Sequence, residues 1–214
     1  MSGRARHRAG TWRRRLVIMV KEPVAGRVKT RLASEIGNVR ATAFYRRLSS
    51  NIIQRLRPDP RWQTVIAVTP DTALRSPIWP AAIARVGQGP GDLGQRMQRI
   101  MDQSGPGPVI IVGTDIARIT PAVIAEAFVR LAGSDAILGP AGDGGYWLVG
   151  LGRSCRVPRA FREVRWSGPY ALGDTRQNLA GARVAQAARL EDVDTAADFA
   201  ALANAAARLI LPNP

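Results

Sequence analysis

The sequence of 214 residues contains one histidine, His7, one cysteine, Cys155, and only two lysines, Lys21 and Lys29. A lone cysteine forms no internal disulfide, and one Cys with one His cannot build a Cys/His metal cluster. A Ser-His-Asp or Cys-His mechanism would have to draw its base from the N-terminal stretch that carries His7. Long apolar runs are missing as well. None approaches the ~20 residues of a membrane span, and residues 16–20, ended by Lys21-Glu22-Pro23, fall short of the roughly seven that a secretory signal requires. The expectation is a soluble, cytoplasmic protein. Acids are scarce, 16 Asp and Glu against 31 Lys and Arg, for a net charge of +15. Chemistry must therefore come from carboxylates, Lys, Arg, hydroxyls, backbone amides and a hard metal ion.

Six of the arginines fall within residues 1–15, which hold no acid. That stretch has too little apolar surface to offset its ordering entropy and reads as a disordered, solvated basic tail, with residues 16–214 as one domain. Within that domain, residues 16–20, 64–68 and 109–112 are short apolar runs of the kind found in strands buried on both faces. Weaker strand signals lie at 83–86, 135–138 and 146–151. Ala41, Phe44, Tyr45, Leu48, Ile52 and Leu56 form one helical stripe, and Leu93, Met97, Ile100 and Met101 another. Thr120-Pro121 opens a helix to about residue 131, and Thr195-Ala196-Ala197-Asp198 opens a last one to about 209. Strands alternating with helices predict an α/β fold with a mostly parallel sheet covered on both faces, and such sheets bind ligands at the carboxyl ends of their strands.

The polar residues worth weighing sit at those ends. Lys21-Glu22-Pro23-Val24-Ala25-Gly26-Arg27-Val28-Lys29-Thr30-Arg31 follows the first strand and holds both lysines, a pattern suited to a polyphosphate or else an ordinary solvated basic loop. It lacks the Gly-x4-Gly-Lys spacing of a P-loop. Asp115, after the central strand, is placed to hold Mg²⁺ or to cap the next turn. Gly139–Tyr146 reads equally as a tight hairpin and as a glycine-rich approach to substrate with Asp143 orienting a hydroxyl. Gly91, Asp92 and Arg96 lie where a helix N-terminus could receive an anion, with Asp92 as a plain N-cap the alternative. Glu191, Asp192 and Asp194 read as capping acids, with Asp194 a second metal carboxylate if the chain returns to the site.

Lys21-x-Pro-x-x-Gly26-x-x-Lys29-Thr30-Arg31-Leu32, Gly91-Asp92-Leu93-Gly94-x-Arg96-Met97, Gly113-Thr114-Asp115, Gly139-Pro140-Ala-x-Asp143-Gly144-Gly145-Tyr146, Trp166-Ser167 and Asp192-Val193-Asp194-Thr195-x-x-Asp198 together resemble the DUF2064 family. That group, also labelled radical-SAM-associated transferase 1 or glycosyltransferase, belongs to the nucleotide-diphospho-sugar transferase superfamily with the GT-A fold. The first motif is also similar to one in phospholactate guanylyltransferases. The resemblance spans about residues 16–205 and implies a single GT-A-like, Rossmann-like α/β/α sandwich with a mostly parallel mixed sheet. It implies a Mg²⁺- or Mn²⁺-dependent transferase acting on a nucleoside triphosphate or nucleotide-sugar and a small-molecule acceptor. By position it implies nucleotide binding by Lys21, Gly26, Lys29, Arg31, Gly91, Asp92 and Arg96. Catalysis would involve Lys29, Asp115 and Asp143, metal binding Asp115 and Asp194, and acceptor binding Gly144, Gly145, Tyr146 and Trp166. One position departs: the family's Pro two residues after the metal Asp is Ala117 here, which raises a non-catalytic nucleotide-binding GT-A domain as an alternative. Nucleic-acid binding through the basic tail is a further alternative, weakened by the single tail aromatic, Trp12.

Overall fold

The computed structural model describes residues 12–152, 159–193 and 195–202. The basic tail as far as residue 11, with His7, lies outside the described residues, as do Cys155, Asp194 and the end of the last helix. Seven strands form one sheet: β1 (Arg15–Lys21), β2 (Gln63–Thr69), β3 (Ala84–Gly87), β4 (Val109–Val112), β5 (Ala136–Pro140), β6 (Tyr146–Leu151) and β7 (Val184–Gln186). Ordered pairing starts before residue 16, because Arg15 is the first residue of β1 and the Arg14 carbonyl accepts the Gln63 N–H.

The spatial order is β3-β2-β1-β4-β6-β5-β7. Pairs β1/β2, β2/β3, β1/β4 and β5/β7 are parallel, and β6 alone runs antiparallel to its neighbours β4 and β5. Its reversal follows from the five-residue connection 141–145, too short for the crossover that a parallel pair requires. Alternate residues of β1 feed two cores. Leu16, Ile18 and Val20 face α2 (Asn38–Leu56) and α4 (Pro121–Ala132). Val17 and Met19 face α3 (Leu93–Gln103) and the segment around Phe161. The result is the three-layer α/β/α sandwich with a mostly parallel sheet expected from the alternating pattern.

Four elements lie outside the predicted set: α1 (Thr30–Ile36), a 3-10 helix at Asp71–Arg75, α5 (Ala171–Asn178) and β7. Two predicted helix starts appear with their caps. Thr120 Oγ1 accepts the Val123 N–H with Pro121 at the first position, and the Asp198 carboxylate accepts the Thr195 N–H while Thr195 Oγ1 accepts the Asp198 N–H.

Gly150 shows how tightly the centre of the sheet is filled. It sits on β6 between Ile110 and Ile137, and a Cβ there would lie 2.8 Å from Ile110 Cγ1 and 2.8 Å from Ile137 Cγ2. Gly150→Ala is expected to cost about 1–3 kcal/mol by overpacking, read as a lower urea midpoint at unchanged slope. An unchanged midpoint would mean that this layer is looser than described.

The strand order places a topological switch point at the carboxyl ends of β1 and β4: the chain leaves β1 toward β2 on one side and arrives at β4 on the other. A crevice opens there in sheets of this kind.

Candidate functional site

A cleft of about 400 Å³ occupies that crevice. Its polar lining includes Lys21, Tyr45, Gln88, Thr114, Asp115 and Asp192. The connection from β1 turns at residues 24–27, closed by an Arg27 N–H to Val24 carbonyl bond with Gly26 inside it at φ 75°, a left-handed conformation that glycine adopts without strain. Lys29 is also left-handed, at φ 46° and ψ 48°, immediately before α1. This turn aims its side chain inward. The Lys29 side chain is 5% exposed, and its ammonium lies 2.7 Å from Asp115 Oδ1, whereas the Asp115 side chain is 55% exposed. The lysine loop and the aspartate ending the central strand therefore meet.

A chain of hydrogen bonds sets the floor beneath them. The Lys21 N–H donates to Tyr45 Oη at 2.9 Å, so the Tyr45 hydroxyl can donate to Thr114 Oγ1 at 3.1 Å, and Thr114 in turn to the Met19 carbonyl at 3.4 Å. Burial pushes the Tyr45 hydroxyl above its ordinary range, so it stays protonated and keeps this direction of donation. Tyr45→Phe would strand the Lys21 N–H and part of Thr114 in the interior, and is expected to cost about 1–3 kcal/mol of stability. Chemical denaturation checks this; an effect near zero would mean that water replaces the phenol.

Gln88, 3% exposed, donates both side-chain N–H groups to carbonyls at the strand ends, Val20 at 3.1 Å and Ala67 at 2.8 Å. Arg99 Nη1 holds the Gln88 and Pro90 carbonyls, and Asp71 Oδ1 accepts the Gly89 N–H. Arg96 Nε binds the Gly91 carbonyl, with Nη1 3.4 Å from Thr69 Oγ1 on the cleft wall. Asp92 caps α3 in a reciprocal box with Gln95, so the N-cap reading describes what its side chain does here.

On the opposite wall, Asp143, Gly145, Tyr146 and Trp166 all line the cleft. Asp143 Oδ1 accepts the Gly145 N–H at 2.9 Å across the β5–β6 hairpin. Gly144, at φ 85°, packs against Pro169 and its carbonyl accepts the Leu172 N–H. Arg165 makes a two-pronged contact with Asp174, at 2.9 and 2.8 Å, and its guanidinium lies over the Tyr170 ring. The Arg165 hydrogen bonds hold the Asp174 carboxyl down to about 2. This brace therefore stays intact across the ordinary carboxylate range and loosens only as pH falls toward 2.

Of the residues expected at the site, Lys21, Lys29, Asp115, Asp143, Gly145, Tyr146 and Trp166 come together. Gly26, Arg31, Gly91, Asp92, Arg96 and Gly144 stand outside the lining, Arg31 exposed on α1 and Arg96 touching it only through Thr69. Asp194 lies outside the described residues, but the chain does return to the site: the Val193 N–H donates to the Asp115 carbonyl at 3.2 Å and Asp192 enters the cleft. Tyr45, whose spacing placed it on an apolar stripe, and Gln88 are cleft residues that sequence reasoning did not select. Where the family has proline, the Ala117 and Ile119 carbonyls accept from Arg55 Nη1 at 3.2 and 2.9 Å, so α2 fixes this backbone instead.

Of the three carboxylates that line the cleft, Asp115 and Asp192 belong to segments joined by the Val193 N–H to Asp115 carbonyl bond, and such a pair suits a hard dication, which typically takes one or two protein carboxylates and fills its shell with water and phosphate oxygens. Among the described residues, no group of three or more His, Cys, Asp or Glu could hold a metal by itself. The donor set thus fits an ion that arrives with phosphate.

Comparison with known proteins agrees with this architecture. The family described as uncharacterized protein conserved in bacteria, DUF2064, matches residues 52–168. The chain belongs to the DUF2064 family. The family resemblance and the GT-A-like fold expected from it are both borne out, the matched stretch holding the four motifs between Gly91 and Ser167. No protein in a curated set matches the sequence. Among solved structures, one from Desulfovibrio desulfuricans G20, provisionally described as a nucleotide-diphospho-sugar transferase, is 29% identical at a TM-score of 0.81, covering 88% of this chain and 85% of that one. CMP:2-keto-3-deoxy-manno-octonic acid synthetase complexed with CTP shares the fold at 11% identity and TM-score 0.57, over 92% and 99% of the two chains. Rv0371C of Mycobacterium tuberculosis H37Rv, solved in complex with manganese, shares it at 15% and 0.52, over 89% and 97%. Among the described residues of this DUF2064 protein, no helix is long and apolar enough to cross a membrane.

Proposed function

We propose that this DUF2064 protein is a Mg²⁺- or Mn²⁺-dependent transferase that moves a nucleotidyl group from a nucleoside triphosphate to a small-molecule acceptor. The observation that carries the reading is the Lys29 ammonium at 2.7 Å from the open Asp115 carboxylate, at the switch point of the sheet. A desolvated cation beside an exposed carboxylate is an arrangement for a phosphate chain that brings its own dication. Lys21 lines the same cleft and Arg96 reaches Thr69 of its wall, an added positive charge that suits three phosphates better than two. The CTP complex and the manganese complex on the same fold support the class of ligand.

In this reading an acceptor oxygen forms a bond to Pα, the Pα–O–Pβ bond breaks, and pyrophosphate leaves with the electron pair. Asp115, with Asp192 or Asp194, would hold the dication, which when bound neutralises phosphate charge. Lys29 shifts from Asp115 to the phosphate chain and stabilises the negative charge that grows on the leaving pyrophosphate. Lys21 holds the outer phosphates, and Asp143 orients the acceptor from the opposite wall. Nothing here calls for a histidine.

The test is pyrophosphate release from each of the four nucleoside triphosphates with Mn²⁺ and a panel of phosphorylated acceptors, beside a calorimetric titration of the same nucleotides. Metal-dependent binding with pyrophosphate release supports the reading. Release of nucleoside diphosphate from nucleotide-sugars instead would make the protein a glycosyltransferase, and binding without turnover would favour the non-catalytic alternative.

A further inference from the structure

We infer that the acceptor has an apolar body, because the strand side of the cleft is a chamber walled by apolar and aromatic side chains. This rests on the nucleotidyl-transfer reading above and names the acceptor class. The chamber floor comes from three adjacent strands: Met19 of β1, Ile111 of β4 and Val149 of β6, the last two directly opposite each other. One wall is α3, where Leu93 and Met97 stand one turn apart, and Leu93 is 45% exposed at the mouth. The other wall is the Tyr146 and Trp166 pair, in edge contact at 6.3 Å.

One polar group on these walls, the Tyr146 hydroxyl, is already engaged. The Tyr146 hydroxyl lies 3.3 Å from Thr175 Oγ1, whose residue is fully buried. The charged lining residues are Lys21, the last residue of β1, and Asp115, Asp143 and Asp192, from the loops after β4, β5 and β7. A polyhydroxylated acceptor would need a partner for every hydroxyl it buried here, and each one left unpaired costs more than the contact gains. An alkyl or aromatic body needs none and gains by leaving water.

The chamber is also held in shape. Gly94 lies so close to the Trp166 ring that a Cβ there would be 2.8 Å from Cζ2, and the Arg165 to Asp174 brace fixes the residue before it. A ring anchored on both sides is a preformed wall, which lowers the ordering cost of binding. The acceptor's anionic oxygen would project toward Asp115 and Lys29 and form the new bond to Pα as the Pα–O–Pβ bond breaks and pyrophosphate leaves.

Phenyl phosphate and glucose 1-phosphate separate the possibilities, since they match in charge and differ in body. Each is titrated into the full chain with Mn²⁺, with and without a non-hydrolysable triphosphate analogue whose own affinity is measured first. Phenyl phosphate is expected to bind about tenfold more tightly, and the preference to disappear in Trp166→Ala. Leu93→Asn, at an exposed position that leaves the core intact, is expected to erase most of it too. Glucose 1-phosphate binding as well as phenyl phosphate, or a preference that survives both substitutions, overturns the inference. Failure of the analogue to bind would overturn the reaction assigned above, while the preference measured without nucleotide still decides the chamber.

Discussion

Asp115→Asn is expected to lower kcat for pyrophosphate release by about 10²–10³-fold while leaving the fold intact. The exchange keeps size and shape and removes only the charge. Because the Asp115 side chain is 55% exposed, its ion pair with Lys29 contributes little to stability, about 1 kcal/mol or less. Activity and stability thus part company at this residue. The carboxylate is expected to matter through the dication it would hold, so the variant should also need more Mn²⁺ for half-maximal rate. Steady-state kinetics across a manganese series, paired with a melting curve, reads both effects. Wild-type activity at ordinary manganese would remove Asp115 from the metal role.

Lys29→Met gives the complementary expectation, a fall of about 10²-fold in kcat/KM with thermal stability nearly unchanged. Methionine keeps the apolar stem that the pocket encloses and deletes the ammonium. Holding an ammonium at 5% exposure has a desolvation cost that its ionic contacts must offset, so a neutral stem removes cost and contacts together and leaves stability nearly unchanged. Lys29→Arg is expected to fail as a rescue. The guanidinium is larger and planar, and the left-handed backbone at this residue fixes the direction in which a compact point charge arrives. The loss should fall mainly on kcat, because the contact strengthens as charge builds on the leaving pyrophosphate. A loss confined to KM would make Lys29 a ground-state binding residue instead.

The elements legible in the sequence were those whose burial writes a continuous signal. Val109–Val112 is buried on both faces and reads as an unbroken apolar run, and α2 carries a long stripe. What was hidden has physical reasons. Helix α1 is seven residues long, buries only Leu32 and has no side-chain cap, so its basic start merges with the loop before it. Helix α5 buries only Ala171 and Thr175, and β7 has three residues, too few for any period to show. The hairpin after β5 was legible as one of two readings, and Asp143 keeps both a turn bond and a place in the cleft.

For the site, residue type and strand-end position were enough to single out Lys29 and Asp115. Their contact was not legible, because it depends on a non-glycine residue adopting φ 46°. Tyr45 looked like core because its ring is core; only the tertiary fold shows its hydroxyl joining Lys21 to Thr114. Asp192 reads as a capping acid until the chain after β7 is seen to cross back to the Asp115 carbonyl.

The central claim is that one cleft, between the lysine loop and the end of the central strand, holds a metal-chelated nucleotide. A crystal grown with Mn²⁺ and a non-hydrolysable triphosphate, measured at the manganese absorption edge, tests it most directly. The account predicts an anomalous peak coordinated by Asp115 and by phosphate oxygens, with the Lys29 ammonium moved from the carboxylate onto the phosphate chain. Manganese and nucleotide bound elsewhere, with the Lys29 to Asp115 pair unchanged, would contradict it.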